Sequence, residues 1–193
     1  IDALKHLSDK KNKVSSHFLV NKKGEIFKLV DTKYRAWHAG ESMWKNITDI
    51  NSSSIGIEVD NSGYILDFEE YNNDQINSLI YLLKHLKIKF KIEDGNILGH
   101  SDIAPYRKID PGEKFPWTVL DKNKIVKLPK FLNKYNSDLI EKNLELLKLK
   151  TKFNKIIYML KNIGYDISKS IDNKEKFCRL VRAYQMHYRN FKV

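Results

Sequence analysis

The chain has 193 residues, of which 41% are hydrophobic, 8 are Gly and 4 are Pro, so collagen-like and low-complexity proteins are excluded. It contains no run of about 18 apolar residues that would predict a transmembrane segment, and with Cys178 alone it cannot form an internal disulfide. The net charge of +11 falls within residues 121–193, which hold 18 Lys or Arg and 7 Asp or Glu, whereas residues 1–120 hold 17 of each.

The first 60 residues have the pattern of a short helix followed by extended strands. Residues 3–7 are predicted to end the helix. Segments with an extended pattern at residues 16–20 and 25–30 flank an Asn-Lys-Lys-Gly segment, which predicts a β-hairpin with Gly24 in its turn. Residues 54–59 are almost entirely apolar apart from Glu58, and such a run is typical of a central strand that is covered on both faces.

The next 60 residues combine one long helix with a loop that is rich in Pro, Gly and charge. Apolar residues at helical spacing predict an amphipathic helix over residues 74–90, with Asn73 as its N-cap. Residues 97–100 are predicted to form a short strand, whose end delivers His100 to the loop at residues 101–117.

From about residue 136 the sequence turns basic and helical, and three helical stretches are predicted. Apolar stripes at helical spacing occur over residues 153–163 and 177–188. We therefore predict an α/β domain at residues 1–125 and a small all-α domain at residues 126–193.

Glu58 is unusual because its neighbours Ile55, Ile57 and Val59 are apolar. Its carboxylate would lie either at a strand end or in a partly dry site. In a dry site desolvation would raise the pKa of Glu58, which suits a general base that works near neutral pH. The alternative is a strand-end Glu paired with a Lys.

His100 and Asp110 lie ten residues apart across a loop that can fold back and bring the two side chains together. A His and a carboxylate are a ligand pair suited to Zn²⁺, and a catalytic zinc needs a third protein ligand and one open position. Lys108 would lie close to the same centre, where a cation could stabilise an oxyanion. The alternatives are a structural salt bridge for the pair and an ordinary surface role for the lysine.

Trp37 lies in the segment Arg-Ala-Trp-His-Ala-Gly at residues 35–40, with Trp44 close behind. An exposed Trp beside small residues often forms a platform for a sugar or a peptide. A plain core position for Trp37 is an equal alternative.

Four segments that occur in order carry a resemblance to a known family. They are Val-Ser-Ser-His-Phe-Leu-Val at 14–20, Arg-Ala-Trp-His-Ala-Gly at 35–40, Ser-Ile-Gly-Ile-Glu at 54–58 and Gly-His-Ser-Asp-Ile-Ala-Pro-Tyr-Arg-Lys-Ile-Asp-Pro-Gly at 99–112. Residues 3–120 thereby resemble the zinc-dependent N-acetylmuramoyl-L-alanine amidases of the AmpD/AmiD type, which are related to peptidoglycan recognition proteins and phage T7 lysozyme. The resemblance implies a mixed β-sheet flanked by helices, with one Zn²⁺ in a groove.

The resemblance also implies roles for individual residues. His100 and Asp110 match two zinc ligands, and Glu58 matches the catalytic Glu that activates water. Lys108 matches the residue that stabilises the developing oxyanion. The positions that match the groove-lining and substrate-binding segments are Trp37, His38, Ala39 and Arg107. His17 matches a position that we expect to be structural, packed under the sheet.

The sequence departs from the family at its start. The family's first zinc ligand is a His at the end of an opening strand, and we expect that His upstream of Ile1. His6 does not match the ligand position. The 193 residues therefore offer two ligands, and we expect weak or absent catalytic zinc unless the opening strand is supplied.

The C-terminal part resembles a small helical peptidoglycan-binding domain that is appended to AmiD-type amidases. Residues 158–166 and 180–188 carry this similarity, and one final helix of that domain is lacking. His187 is expected to face solvent or the core rather than to bind a metal. This resemblance implies a periplasmic or outer-membrane-associated location, with a cytoplasmic recycling enzyme as the alternative.

The resemblance predicts hydrolysis of the amide bond between N-acetylmuramic acid and L-alanine, with peptidoglycan or muropeptides as partners. The alternative is a non-catalytic peptidoglycan-binding module on the same fold. The basic C-terminal part is either a solvated helical surface or a surface that attracts an anionic partner such as nucleic acid, a membrane surface or the cell wall. Since 30 of the 35 basic residues are Lys and no RNA-binding signature occurs, we predict no nucleic-acid partner. A monomer is expected.

Overall fold

The computed structural model describes residues 13–64, 68–130, 141–145, 147–148 and 151–189. Its sheet has three strands, β1 (Phe18–Val20), β2 (Ile26–Lys28) and β3 (Ile57–Val59), in the order β2-β1-β3. β1 pairs with β2 antiparallel and with β3 parallel, so the predicted mixed sheet is confirmed. The helix predicted at residues 3–7 lies outside the described residues.

The hairpin between β1 and β2 forms as predicted, with Gly24 in its turn at a φ of 77°. The Gly24 N–H donates to the Asn21 carbonyl at 2.9 Å. A Cβ at Gly24 would lie 2.8 Å from the carbonyl oxygen of Asp74, so both the backbone conformation and the close packing require glycine here.

The third strand is shorter than predicted, and among the described residues it is an edge strand rather than a central one. In the first half of the predicted strand, contacts with His17 take the place of regular strand pairing. The Gly56 N–H donates to His17 Nδ1 at 3.0 Å, and the Gly56 carbonyl accepts the N–H groups of His17 and Phe18. Because a buried imidazole takes the place of a ladder partner, regular pairing begins only at Ile57.

Among the described residues, the short helix α1 (Ile50–Ser53) precedes β3, and the long helix α2 (Asn73–Phe90) follows it. The long helix begins one residue earlier than predicted, because the side chain of Asn72 caps it by accepting the Gln75 N–H at 2.9 Å. The buried Gln75 amide donates to the carbonyl oxygens of Asp60 and Val20, which fixes α2 against the ends of β3 and β1.

The prediction of a strand at residues 97–100 is wrong, because His100 begins a short helix, α3 (His100–Ile103), instead. Gly99 is its N-cap residue, and the Asp102 carboxylate accepts the Gly99 N–H at 2.7 Å. This side-chain hydrogen bond favours a helix start over continued extended backbone. A 3₁₀ turn (Asp94–Asn96) precedes this helix, and α4 (Trp117–Lys122) follows it.

The C-terminal helices are α5 (Lys152–Ile163) and α6 (Lys174–Tyr188), and residues 141–145 are also helical. The side chains of Thr151 and Asn173 cap the two long helices. Both predicted stripes are thus confirmed as helices. Among the described residues no helix is long and apolar enough to cross a membrane.

Two apolar clusters hold the fold together. The first lies between the sheet and α2 and includes Phe115, Trp117 and Leu120 from the region of α4. The second contains Trp44, Ile103 and Tyr106 from the α/β part together with Leu160, Leu180 and Ala183 of the C-terminal helices and Tyr165, which follows α5. The C-terminal helices therefore pack on the loops around His100, and the division at residue 125 stays a prediction.

Candidate active site

His100 and Asp110 lie side by side, as their spacing across the loop predicts. His100 Nδ1 is 3.0 Å from Asp110 Oδ2, and the two side chains are 18% and 56% exposed. The backbone supports this approach, because the Ser101 N–H donates to the Asp110 carbonyl at 2.9 Å. A Cβ at Gly99 would lie 2.6 Å from Pro111 Cδ, so only glycine allows the two ends of the loop to meet so closely.

The hydrogen bonds of His100 show what the pair can bind. His100 Nε2 is 3.0 Å from the carbonyl oxygen of Ala39, and because a carbonyl only accepts, Nε2 carries the proton. In the neutral ring Nδ1 then has a lone pair, and that lone pair faces a carboxylate oxygen of Asp110. Two acceptors at 3.0 Å need a proton or a cation between them.

The pKa of Asp110 is consistent with an ionised carboxylate. Burial pushes it upward, but with a proton between the two side chains the hydrogen bond and charge of His100, together with the charge of Lys108, outweigh burial and lower the pKa of Asp110 overall. The half-buried Lys108 contributes to this lowering through its charge, and its predicted role at the site stays a prediction.

Glu58 is the middle residue of β3 and lies opposite Leu19 of β1. Its side chain is exposed in the part of the chain that the structure describes, which favours the strand-end alternative over a dry site. The strand ends one residue later, which leaves the carboxylate near solvent. A general base here would act from an open site rather than from a buried one.

A cavity of about 840 Å³ runs beside β3. All six residues from 54 to 59 line it, and because successive side chains of a strand point to opposite faces, the cavity must follow the edge of the strand. Apolar side chains of α2, among them Leu79, Leu83 and Leu86, line it too.

The cavity brings four of the candidate residues together. Glu58, His38, His100 and Asp110 all line it. The remaining four candidates, Trp37, Ala39, Arg107 and Lys108, are not among its lining residues.

Trp37 is 55% exposed, so of the two alternatives the structure favours a platform over a core position. The guanidinium of Arg35 lies 4.3 Å from the ring centroid and covers part of the ring by a cation–π contact. Trp44, by contrast, is buried and packs edge-on against Tyr165.

Ala39 and Arg107 contact His100 through a shared backbone atom. The buried Ala39 accepts hydrogen bonds from His100 Nε2 at 3.0 Å and from Arg107 Nη2 at 2.8 Å through its carbonyl oxygen. Arg107 Nη2 also donates to the Glu41 carbonyl at 3.0 Å. Both residues thereby fix the orientation of the His100 ring, and their predicted contact with substrate stays a prediction.

His38 packs against Gly56 and lies in a cluster of three histidines. A Cβ at Gly56 would lie 2.3 Å from His38 Cγ, so the ring occupies the space that only glycine leaves free. Burial first, and then the charges of His17 and His100, lower the pKa of His38 to about 4. His38 is therefore neutral at physiological pH. Its buried Nε2 has no hydrogen-bond partner among the described residues.

His17 is buried and structural, as expected. Its Nδ1 accepts the Gly56 N–H, and its Nε2 is 3.0 Å from the Tyr34 carbonyl. Both ring nitrogens are therefore engaged inside the fold.

Two residues at the site have no signal in the sequence. Asn51 accepts the N–H groups of His38 and Ala39 at 3.0 and 2.8 Å and so holds the groove segment. Tyr71 donates to the Pro111 carbonyl at 2.9 Å, next to Asp110. Neither lies in a motif, and a polar residue in a helix or loop gives no hint of a partner 12 or 40 residues away.

The donors present fit part of a zinc site. Imidazole nitrogen and carboxylate oxygen are ligands that Zn²⁺ accepts, and His100 and Asp110 supply one of each at a single point. Within the part of the chain that the structure describes, no group of three His, Cys, Asp or Glu side chains could hold a metal. A third ligand would have to come from outside the described residues.

This fold and this site identify the class of protein. The profile of the N-acetylmuramoyl-L-alanine amidase family matches residues 2–113, which is more than half of the chain. The chain belongs to this family.

Comparison with individual relatives extends the similarity over the C-terminal helices. N-acetylmuramoyl-L-alanine amidase AmiD of Escherichia coli is 35% identical over 203 residues, covering 97% of this chain and 70% of AmiD. 1,6-anhydro-N-acetylmuramyl-L-alanine amidase AmpD of Enterobacter cloacae is 38% identical over 105 residues, covering 54% of each protein.

Solved structures agree with this assignment. AmiD from E. coli, in complex with anhydro-N-acetylmuramic acid-L-Ala-D-gamma-Glu-L-Lys, superimposes with a TM-score of 0.80 at 32% identity, over 97% of this chain and 75% of AmiD. AmpDh3 from Pseudomonas aeruginosa, in complex with anhydromuramic pentapeptide, gives a TM-score of 0.78 at 30% identity, over 97% of this chain and 78% of AmpDh3. The predicted fold class is thus confirmed.

Proposed function

We propose that this protein hydrolyses the amide bond between N-acetylmuramic acid and L-alanine in peptidoglycan or muropeptides. The observation that carries the proposal is the pair of acceptors on His100 and Asp110, which lines one cavity together with Glu58. The family supports it, and so do the muropeptides named with AmiD and AmpDh3.

The proposed cofactor is Zn²⁺, held by His100 Nδ1, Asp110 Oδ2 and a third ligand from outside the described residues. The apolar cavity along the edge of β3 suits an additional strand, which could carry that ligand to the pair. When bound, the metal supplies Lewis-acid polarisation of the scissile carbonyl and makes water a stronger nucleophile at neutral pH.

Side chains and backbone groups of this chain would carry the other catalytic and positioning roles. The Glu58 carboxylate takes a proton from the attacking water and returns it to the leaving amine, as a general base and then a general acid. The Lys108 ammonium stabilises the oxyanion that develops on the carbonyl. The Ala39 carbonyl keeps the proton of His100 on Nε2, and the exposed face of Trp37 offers a stacking surface to the sugar or the peptide.

The direct test replaces Glu58 by Gln, which keeps the shape of the side chain and removes its basicity. With zinc-loaded natural protein and an anhydromuropeptide, we expect E58Q to lower kcat at least about 100-fold. The matched control is E145Q, because Glu145 is exposed in the C-terminal part. Turnover by E58Q within about threefold of the unmodified protein would contradict the general-base role.

A non-catalytic peptidoglycan-binding module is the second candidate. It is favoured by one observation: the described residues contribute two metal donors rather than three. Binding to purified sacculi by the folded, zinc-supplemented protein, without release of peptide, would support this candidate.

We further propose a periplasmic or outer-membrane-associated location, because the similarity to AmiD extends over 97% of the chain. A cytoplasmic location is the alternative. Cell fractionation with antibody detection distinguishes the two, and size-exclusion chromatography with light scattering tests the predicted monomer.

A further inference from the structure

Asp102 lies two residues after His100 and is completely buried. Its carboxylate accepts three hydrogen bonds. One comes from the Gly99 N–H at 2.7 Å, within the same loop. The other two come from the C-terminal part of the chain: Tyr165 donates its hydroxyl to Oδ1, and His187 Nδ1 lies 2.7 Å from Oδ2.

His187 is held in a fixed orientation by aromatic rings. It is 2% exposed, and its ring stacks on that of Trp117 with centroids 3.6 Å apart and on that of Tyr188 with centroids 4.0 Å apart. Because a carboxylate only accepts, Nδ1 of His187 carries the proton in this contact. Burial and the charge of Asp102 raise the pKa of Tyr165 well above its usual value, so its hydroxyl also stays a donor.

The hydrogen bond from Gly99 links Asp102 to the candidate metal ligands. Gly99 is the residue before His100, and it packs so closely on Pro111 that no Cβ would fit. On the other side of His100, the Ser101 N–H donates to the Asp110 carbonyl. A shift of the Gly99 backbone would therefore move His100 relative to Asp110.

We propose that Tyr165 and His187 are positioning residues, which act through Asp102 to hold the His100 loop in register with Asp110. The C-terminal helices are then part of the active-site scaffold, in addition to any role in binding the cell wall. This inference rests on the proposed function for its kinetic consequence only, since the hydrogen bonds themselves can be tested without turnover.

The chain offers a matched control for this proposal. Tyr106, from the same loop, donates its hydroxyl to the Asp166 carbonyl at 2.6 Å, which also joins the loop to the C-terminal part but does not involve Asp102. Y165F and Y106F each remove one hydroxyl that bridges the same two regions. H187F removes the donor to Asp102 and keeps an aromatic ring for stacking on Trp117.

The experiment compares Y165F, H187F and Y106F in the natural protein by two readouts. For Y165F and H187F we expect kcat on an anhydromuropeptide to fall about tenfold with KM changed by less than about twofold, which is the usual scale for groups that orient a metal ligand. By NMR we expect faster hydrogen exchange of the Gly99 amide in these two variants, with Y106F like the unmodified protein in both readouts.

A conservative variant separates positioning from a loss of packing. H187N can still place an N–H donor near Asp102, so it should recover Gly99 protection and most of the kcat that H187F loses. Unchanged Gly99 exchange and kcat in folded Y165F would overturn the proposal, even if H187F fails to fold. Equal losses in Y106F and Y165F would overturn it as well. Altered Gly99 exchange in a protein without amidase activity would instead overturn the proposed function alone.

Discussion

In the part of the chain that the structure describes, two His–Asp pairs of similar length lie in opposite surroundings. His100 and Asp110 lie 3.0 Å apart at the edge of a cavity, with side chains 18% and 56% exposed. His187 and Asp102 lie 2.7 Å apart in the interior, with side chains 3% and 0% exposed. The same two residue types, a His and an Asp, therefore form one pair in an open site and another pair in the interior.

The difference lies in what else binds to each pair. In the buried pair, donors from Gly99 and Tyr165 complete the carboxylate of Asp102, whereas the buried Nε2 of His187 has no hydrogen-bond partner among the described residues. The carboxylate is thus fully engaged, and the pair is a buried structural unit. In the open pair, the Ala39 carbonyl accepts the Nε2 proton of His100, so that in the neutral ring Nδ1 presents a lone pair to Asp110. Hydrogen-bond partners, rather than the distance between the two side chains, decide which pair can accept a cation.

Removing Asp110 is expected to have the largest effect of the variants that test this contrast. D110A should lower amidase activity about 1,000-fold, because a metal contributes several kcal/mol to the stabilisation of the transition state. It should also lower bound zinc. Because the side chain is largely exposed, the free energy of unfolding should change by less than about 1 kcal/mol. Activity within about tenfold of the unmodified protein would show that this pair is not the reaction centre.

The second variant removes the carboxylate of the buried pair. D102A should lower the free energy of unfolding by about 3–5 kcal/mol, because it leaves the buried His187 and Tyr165 without their acceptor. Urea unfolding followed by circular dichroism measures this change, with D110A as the exposed counterpart. A loss below about 1 kcal/mol would mean that the buried pair is not a structural unit.

The smallest effect is expected at the exposed rim. W37A should raise KM for a muropeptide by about tenfold at most, since a stacking contact of one ring is worth about 1 kcal/mol, and it should leave kcat and stability nearly unchanged. Steady-state kinetics of W37A and D110A, measured side by side, compare the effects of the two variants on KM and kcat. A large fall in stability would show that Trp37 is a core residue after all.

Local patterns in the sequence predicted most of the elements of the fold. The turn at Gly24 and the helical spacing within residues 73–90 are local signals, and both elements form. The strand at residues 97–100 was predicted wrongly, because two apolar residues suggested extended backbone while Asp102, three residues after Gly99, favoured a helix start. Side-chain hydrogen bonds decide between a strand and a helix at such a position, and the spacing of apolar residues does not reveal these bonds.

The candidate site was predictable where its residues lie close in sequence. His100 and Asp110 are ten residues apart, and the prediction that the loop brings them together is confirmed. The contact between Asp102 and His187 spans 85 residues, so nothing in the local sequence of either residue indicates it. The exposure of Glu58 depends on which strands flank β3, and that too is a property of the assembled fold.

We propose that the open pair, His100 and Asp110, is the metal-dependent reaction centre of a muramyl amidase. The most direct measurement determines bound zinc and anhydromuropeptide hydrolysis on the same sample of the natural protein, before and after chelation and after zinc is restored. We predict about one zinc per chain, as in other catalytic zinc sites, with activity lost on chelation and regained with the metal. Full activity in metal-free protein, or a folded zinc-loaded protein that releases no peptide, would contradict the claim.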